Sequence, residues 1–204
     1  PRFGPERLFM TSRSLFCSLV LLFSMLMAGC SQQEGPKSAP APAAKRELSL
    51  ETVAAQGKGF TVGAMMSSNT VYVFFDAQCP HCGHLWEASL PLQKKLKFVW
   101  IPVGWINASS TAQGAALLTA TNPGALMSEH EASLLAKKGG ISAPSSIPAE
   151  IEQAIKSNTQ LLNSFGAEAV PFIVARNAKT GQTVSRDGAM STPALAEFLG
   201  VEAP

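Results

Sequence analysis

Apolar side chains along this chain fall into two kinds of run, continuous and helically spaced, and the two alternate. Thr70-Val-Tyr-Val-Phe-Phe75 is a run of β-branched and aromatic residues with little polar alternation, the pattern of a central strand covered on both faces. A helical stretch follows, with Pro80 in its first turn, continuing through Leu85, Trp86, Leu90 and Leu96 with a kink at Pro91. Phe98-Val-Trp-Ile-Pro-Val103 then repeats the strand pattern, so the segment reads as strand, helix, strand, with the two strands parallel. Residues 109–165 lose strand signals and carry helix punctuation instead. Asn122-Pro123 offers a cap followed by a first-turn proline, Gly139-Gly140 offers a stop, and Pro148 opens a helix whose Ile151, Ile155, Leu161, Leu162 and Phe165 share one face before Gly166. Strand character returns at Val170-Pro171-Phe-Ile-Val-Ala175, passes a turn from Asn177 to Gly181 into a short strand Gln182-Thr-Val-Ser185, and gives way to a last helix from near Ser191-Thr192-Pro193 to Gly200. With a short helix over 48–56 in front, the pattern predicts an α/β domain over residues 48–204 with a helical insertion at about 108–166.

Composition adds a limit on partners. The chain has 204 residues, 46% hydrophobic and 15% charged, enough for one core and not disordered as a whole. Its net charge of +2 arises in the first 29 residues, from Arg2, Arg7 and Arg13 against Glu6; the remainder is balanced. No electrostatic footprint for nucleic acid follows from such a balance.

That N-terminal part has its own logic. Leu15 to Ala28 is an apolar stretch of 14 residues behind Arg13, short of the roughly 20 that span a bilayer and matched to the core of an export signal over 1–29. Leu26-Met27-Ala28-Gly29-Cys30 resembles the bacterial lipobox, which implies Cys30 as a lipid anchor; Ser31 behind it points to the outer membrane by the same resemblance. Residues 31–46 hold three prolines and no large apolar side chain, so 30–47 reads as an extended tether. The expected location is the periplasm, with the domain anchored to the membrane.

Of four cysteines, Cys17 falls in the leader and Cys30 is assigned to lipid, which leaves Cys79 and Cys82. A single close pair in an exported protein is no structural framework and points to chemistry. Cys79-Pro80-His81-Cys82 stands where a buried strand feeds a helix N-terminus, so unpaired N–H groups and the helix dipole favour an anion on Cys79. His81 can stabilise that thiolate further, and Cys82, one turn on, can resolve a mixed disulfide. Three readings compete. Haem attachment needs a histidine directly after the second cysteine, and Gly83 stands there with His84 following. Zinc could use Cys79, Cys82, His84 and His130, but a second cysteine pair is missing, so no metal is expected. A purely structural disulfide would close a very small loop and constrain little.

Strand, Cys-Pro-His-Cys, helical insertion and then Val170-Pro171 at another strand resemble the thioredoxin fold of the periplasmic Dsb thiol:disulfide interchange proteins. Asp76 before the first cysteine, Leu85-Trp86 after the second, Trp100-Ile-Pro-Val-Gly104, Leu126 to Leu134 and Asn158 to Pro171 are similar to the DsbG/DsbC branch, over about residues 59–200. The resemblance implies a cis Pro171 lying against the cysteines, Val170 pairing with an extended substrate peptide, and no cofactor beyond a redox-active Cys79–Cys82 disulfide. Substrates would be exported proteins with thiols or disulfides, with a membrane redox partner; alternatives are a non-catalytic envelope holdase and reduction of sulfenic acids on single cysteines. Residues 31–58 are too short for the dimerisation domain of that branch, so a monomer is expected, and the Pro-His spacer and Val170 resemble the oxidase DsbA instead. Where thioredoxin has a buried acid, six residues before the first cysteine, this chain has Val73; Asp76 reads equally as a solvated strand end. His84 and His130 read as surface residues, and Trp86, Trp100 and Trp105 as core or groove lining.

Overall fold

A computed structural model describes residues 47–204. The expected leader at 1–29, Cys30 and all of the tether but Glu47 lie outside the described residues. The elements run α1 (Leu50–Gln56), β1 (Phe60–Gly63), β2 (Thr70–Asp76), α2 (Pro80–Ser89), β3 (Lys97–Val103), α3 (Ala108–Leu118), α4 (Pro123–Leu135), α5 (Ala149–Ser164), β4 (Phe172–Arg176), β5 (Thr183–Asp187) and α6 (Thr192–Leu199). The sheet order is β1-β3-β2-β4-β5, with β2 and β3 parallel and the other neighbours antiparallel.

The lack of polar alternation in β2 follows from its central place. Successive side chains point to opposite faces. Phe74 meets Phe165, just past α5, and Phe75 meets Trp100 edge-on, with Trp100 in turn packed on Trp86 of α2. Both faces are covered, so neither needs polar residues. α3 and α5 lie against β3 and each other, whereas α2 packs on α4 and α6. Asn158 pins α5 from inside the core: its amide oxygen accepts from Lys58 N at 2.8 Å, and its nitrogen donates to the Lys58 and Pro102 carbonyls. Pro102 is tolerated within β3 because β1 pairs no further than Trp100, so that side of the strand is already free at residue 102.

One expectation needs correction, and one strand is added to those the pattern predicts. The helix after the cysteines ends at Ser89 and gives way to a 3-10 turn over Leu90–Lys94, where a single kinked helix through Leu96 was expected. Pro91 has no N–H to donate and its ring crowds the carbonyl four residues back, so the ladder stops instead of bending. The strand β1 went unrecognised, being four residues long with one side chain, Thr61, between the apolar Phe60 and Val62.

Candidate active site

β2 ends at Asp76, and the next turn of chain delivers Cys79 as the N-cap of α2 with Pro80 behind it. Asp76 builds that turn. Its Oδ1 accepts from Gln78 N at 2.8 Å, and its Oδ2 accepts from Trp105 N at 2.7 Å and Ile106 N at 3.0 Å, so one carboxylate ties the cysteine turn to the loop after β3. The residue is fully buried, which removes the solvated strand end, one of the two readings the sequence left open for it.

The two cysteines are free thiols in unequal surroundings. Cys82 lies wholly inside, with no exposed surface, and Cys79 sits at the rim at 5% exposure. The Cys79 thiol is lowered to about 6: the hydrogen bond from the Cys82 thiol is the largest cause, burial opposes it, and the Cys82 and His81 backbone N–H groups and the His81 ring add smaller help. The Cys82 thiol moves the other way, raised by burial first and then by donating to Cys79 and facing its charge. One sulfur is a nucleophile at neutral pH and the other holds its proton.

The Val170–Pro171 peptide bond is cis, in keeping with the family resemblance, and the Val170 carbonyl oxygen lies 3.4 Å from Cys79 Sγ. Cys79, Cys82, His81, Val170 and Pro171 therefore meet at one end of the sheet. His81 and His84 are exposed neighbours, 6.3 Å apart between ring centres. Trp86 and Trp100 belong to the core, and Trp105 is part-buried with its Nε1 donating to Asn163.

The histidine of α4 is no surface residue. His130 is fully buried; its Nε2 faces the Ala77 carbonyl at 2.6 Å and its Nδ1 accepts from Ile141 N at 3.1 Å, bracing the chain two residues before Cys79. Both nitrogens are thus engaged by backbone, and among the described residues no group of three or more His, Cys, Asp and Glu side chains is placed to hold a metal ion. Sequence reasoning also missed Glu131. It is 1% exposed, neither of its carboxyl oxygens has a hydrogen-bond partner, and burial, then the charges of Cys79 and Glu87, raise it to about 9. A carboxyl that titrates there is protonated at neutral pH, which is how it persists unpaired inside the fold.

No family model matches the chain. The thiol:disulfide interchange protein DsbG of Pseudomonas aeruginosa is 34% identical over 140 residues, 68% of this chain and 54% of that protein. DsbG of Escherichia coli K12 is 30% identical over 105 residues, covering 50% of this chain and 42% of that protein. The chain belongs to the Dsb family of thiol:disulfide interchange proteins. It spans about half the length of these curated relatives. A periplasmic thioredoxin-like protein from Salmonella enterica serovar Typhimurium superposes with a TM-score of 0.59 at 18% identity, covering 76% of this chain and 97% of that one. The thiol-disulfide exchange protein α-DsbA2 from Wolbachia pipientis gives 0.54 at 19% identity, covering 73% and 91%. Likeness at that identity establishes the thioredoxin-like fold alone. The five-stranded sheet and its helices conform to it.

Proposed function

We propose that this Dsb-family chain is a thiol:disulfide oxidoreductase of the periplasm, acting on the thiols and disulfides of exported proteins. The observation that carries the reading is the split between the two sulfurs: an easily ionised Cys79 at the rim and a proton-holding Cys82 beneath it. In the reducing direction the Cys79 thiolate attacks one sulfur of a substrate disulfide, the other substrate sulfur leaves as thiolate, and a mixed disulfide forms. Cys82, deprotonated, then attacks Cys79 Sγ; the Cys79–Cys82 disulfide forms, and the second substrate sulfur departs. Oxidation of a substrate dithiol is the same sequence reversed. His81 supports the thiolate, the Val170 backbone next to Pro171 receives an extended peptide beside Cys79, and the chemistry needs no cofactor besides the cysteine pair. Because the reduced form is favoured by a stabilised thiolate, the pair is expected to be more oxidising than thioredoxin, above about −270 mV and below the roughly −120 mV of DsbA.

The finer placement rests on the N-terminal sequence. An export signal over 1–29, lipid on Cys30 and a tether over 30–47 would hold the domain off the membrane by up to about 3.1 Å per residue, within reach of a membrane redox partner. A Cys82→Ala variant tests the catalytic core of the proposal. It should accumulate mixed disulfides through Cys79 with scrambled, disulfide-bonded test proteins, and Cys79→Ala should form none. Suppression of aggregation that survives unchanged in Cys79→Ala, without any thiol exchange in the native chain, would instead make the chain a holdase.

A further inference from the structure

Besides the buried Asp76 carboxylate, which three backbone N–H groups hold, the site brings Cys79, Cys82 and Glu131 into one electrostatic neighbourhood. Glu131 projects from α4 onto the first turn of α2. Gly83, the residue after Cys82, makes room for it; a Cβ there would come within 2.6 Å of Glu131 Oε2. Both carboxyl oxygens are buried and neither finds a hydrogen-bond partner, an arrangement that costs stability and contributes nothing to packing that a Leu or Met would not. Its charged surroundings are simple. From α2 it feels Cys79 and Glu87, and it acts in turn on Cys82; β1 and α3, also packed on α4, carry no titratable side chain, and on its own helix His130 is turned to Ala77 and Ile141.

Building on the oxidoreductase reading, we infer that Glu131 exchanges a proton with Cys82 during the second half of each thiol–disulfide exchange. In the reduced protein burial keeps Glu131 protonated, and the negative charge on Cys79 adds to it. When Cys79 enters a mixed disulfide its charge disappears, the carboxyl loses that repulsion though not its burial, a fraction of it gives its proton to water, and the carboxylate takes the proton of the Cys82 thiol through one bridging water. The Cys82 thiolate attacks Cys79 Sγ, the sulfur–sulfur bond to the substrate breaks, and the substrate leaves with the electron pair. In the oxidising direction the substrate thiolate attacks Cys79 Sγ, the bond to Cys82 breaks, and Glu131 returns its proton to the departing Cys82 sulfur. The net change is one proton passed to water by way of Glu131 in the reducing direction and one taken up from water in the oxidising direction. Strand position 73, six residues before Cys79, holds a valine, and the helical segment supplies the acid in its place.

Reduced chain carrying Cys17→Ala and Cys30→Ala, so that Cys79 and Cys82 alone react, mixed with one equivalent of dithiobis(nitrobenzoate), whose released thiolate is coloured, separates this step from the first. Attack by Cys79 gives the first colour phase, and resolution by Cys82 gives the second. Glu131→Gln, of the same shape and uncharged like the native carboxyl at neutral pH, should leave the first phase in place and slow the second at least about tenfold at pH 7, with partial recovery in Glu131→Asp. The second phase of the native chain should level off as pH rises and Glu131 ionises, whereas in Glu131→Gln it should climb about tenfold per pH unit throughout. A second phase in Glu131→Gln within twofold of native, with the same pH profile, overturns the inference and leaves the function standing. Absence of the first phase in the native chain overturns the function itself. If Glu131→Gln loses both phases, the native profile decides: levelling off supports the proton exchange, and a climb of about tenfold per unit from pH 5 to 9 overturns it.

Discussion

Cys79 Sγ rests 3.4 Å from the carbonyl oxygen of Val170, a residue 91 positions further along the chain. The contact joins the N-terminus of α2 to the approach of β4, and it is possible only because β2 and β4 are antiparallel neighbours, Phe74 opposite Phe172. The nucleophile and the stretch of backbone proposed to hold a peptide are thus set by one strand pairing. Neither depends on a mobile loop closing around a ligand.

The ionisation of Cys79 gives the first test. A thiol lowered to about 6 is roughly nine-tenths anion at pH 7, so iodoacetamide should modify Cys79 with a midpoint near pH 6. Cys82, buried and raised, should remain unmodified in the same period. The sign for stability runs in one direction: a depressed folded value stabilises the reduced fold above the thiol's ordinary range and loses that contribution as pH falls through about 6. A modification midpoint near 8.5, the ordinary thiol value, would remove Cys79 from the nucleophile's role.

Asp76 supports the second. Three N–H groups converge on its buried carboxylate, from Gln78, Trp105 and Ile106. Asp76→Ala strands all three, and at roughly 1–3 kcal/mol per unsatisfied buried donor the loss should reach about 3 kcal/mol or more. Asp76→Asn keeps one acceptor oxygen and should fall between the native chain and alanine. Urea unfolding of the reduced proteins measures this; an alanine variant within about 0.5 kcal/mol of native would show that the turn is held by something else.

How much of this could be seen in the sequence depended on how local each signal is. The β2–α2–β3 unit was legible because continuous apolar runs, a first-turn proline and a cysteine pair all lie within Thr70 to Val103. Cys79, His81 and Cys82 could be named as candidates for the same reason, whereas Val170 and Pro171 were candidates through the family resemblance alone. Asp76 was visible as a residue but not as a bond, since Trp105 and Ile106 come 29 and 30 positions later. His130 and Glu131 were obscured by their own helix. Ser128-Glu-His-Glu-Ala-Ser133 reads as a solvated face, and only packing of α4 against α2, β1 and α3 buries His130 and Glu131 within it. A polar pair inside a helix that also carries Met127 and Leu134 is a weak signal that no period can resolve.

His130 should be a neutral imidazole of fixed tautomer. Ile141 N–H donates to Nδ1, so the proton sits on Nε2 and is donated to the Ala77 carbonyl. Burial is the main cause that lowers its titration below the ordinary 6.5, against smaller opposing help from Ala77 and Asp76. A histidine lowered in this way leaves the folded protein losing stability as pH drops below about 6.5, since the unfolded chain takes up the proton first. Nitrogen chemical shifts of the ring should show the Nε2–H form at pH 6; a ring titrating at 6.5 or above would place it in solvent.

Glu131→Gln should make the protein more stable at neutral pH. The native carboxyl is raised from 4.5 to about 9, so between those values the folded chain keeps a proton that the unfolded chain releases, and stability falls as pH rises through that window. At pH 7 the accumulated loss is on the order of 3 kcal/mol, taking about 1.4 kcal/mol per pH unit for one proton. Glutamine fills the same space with no proton to lose. Its advantage should vanish near pH 4 and grow toward pH 9, over a range where the histidine contributes only below about 6.5 and with opposite sign. Thermal or urea unfolding of both reduced proteins at pH 4, 7 and 9 reads the difference directly, and equal stability at all three would mean that Glu131 reaches water. A variant that is sturdier at pH 7 yet slower in the second colour phase would show the carboxyl kept at a structural loss for its part in moving a proton, the trade between stability and activity that marks a working site.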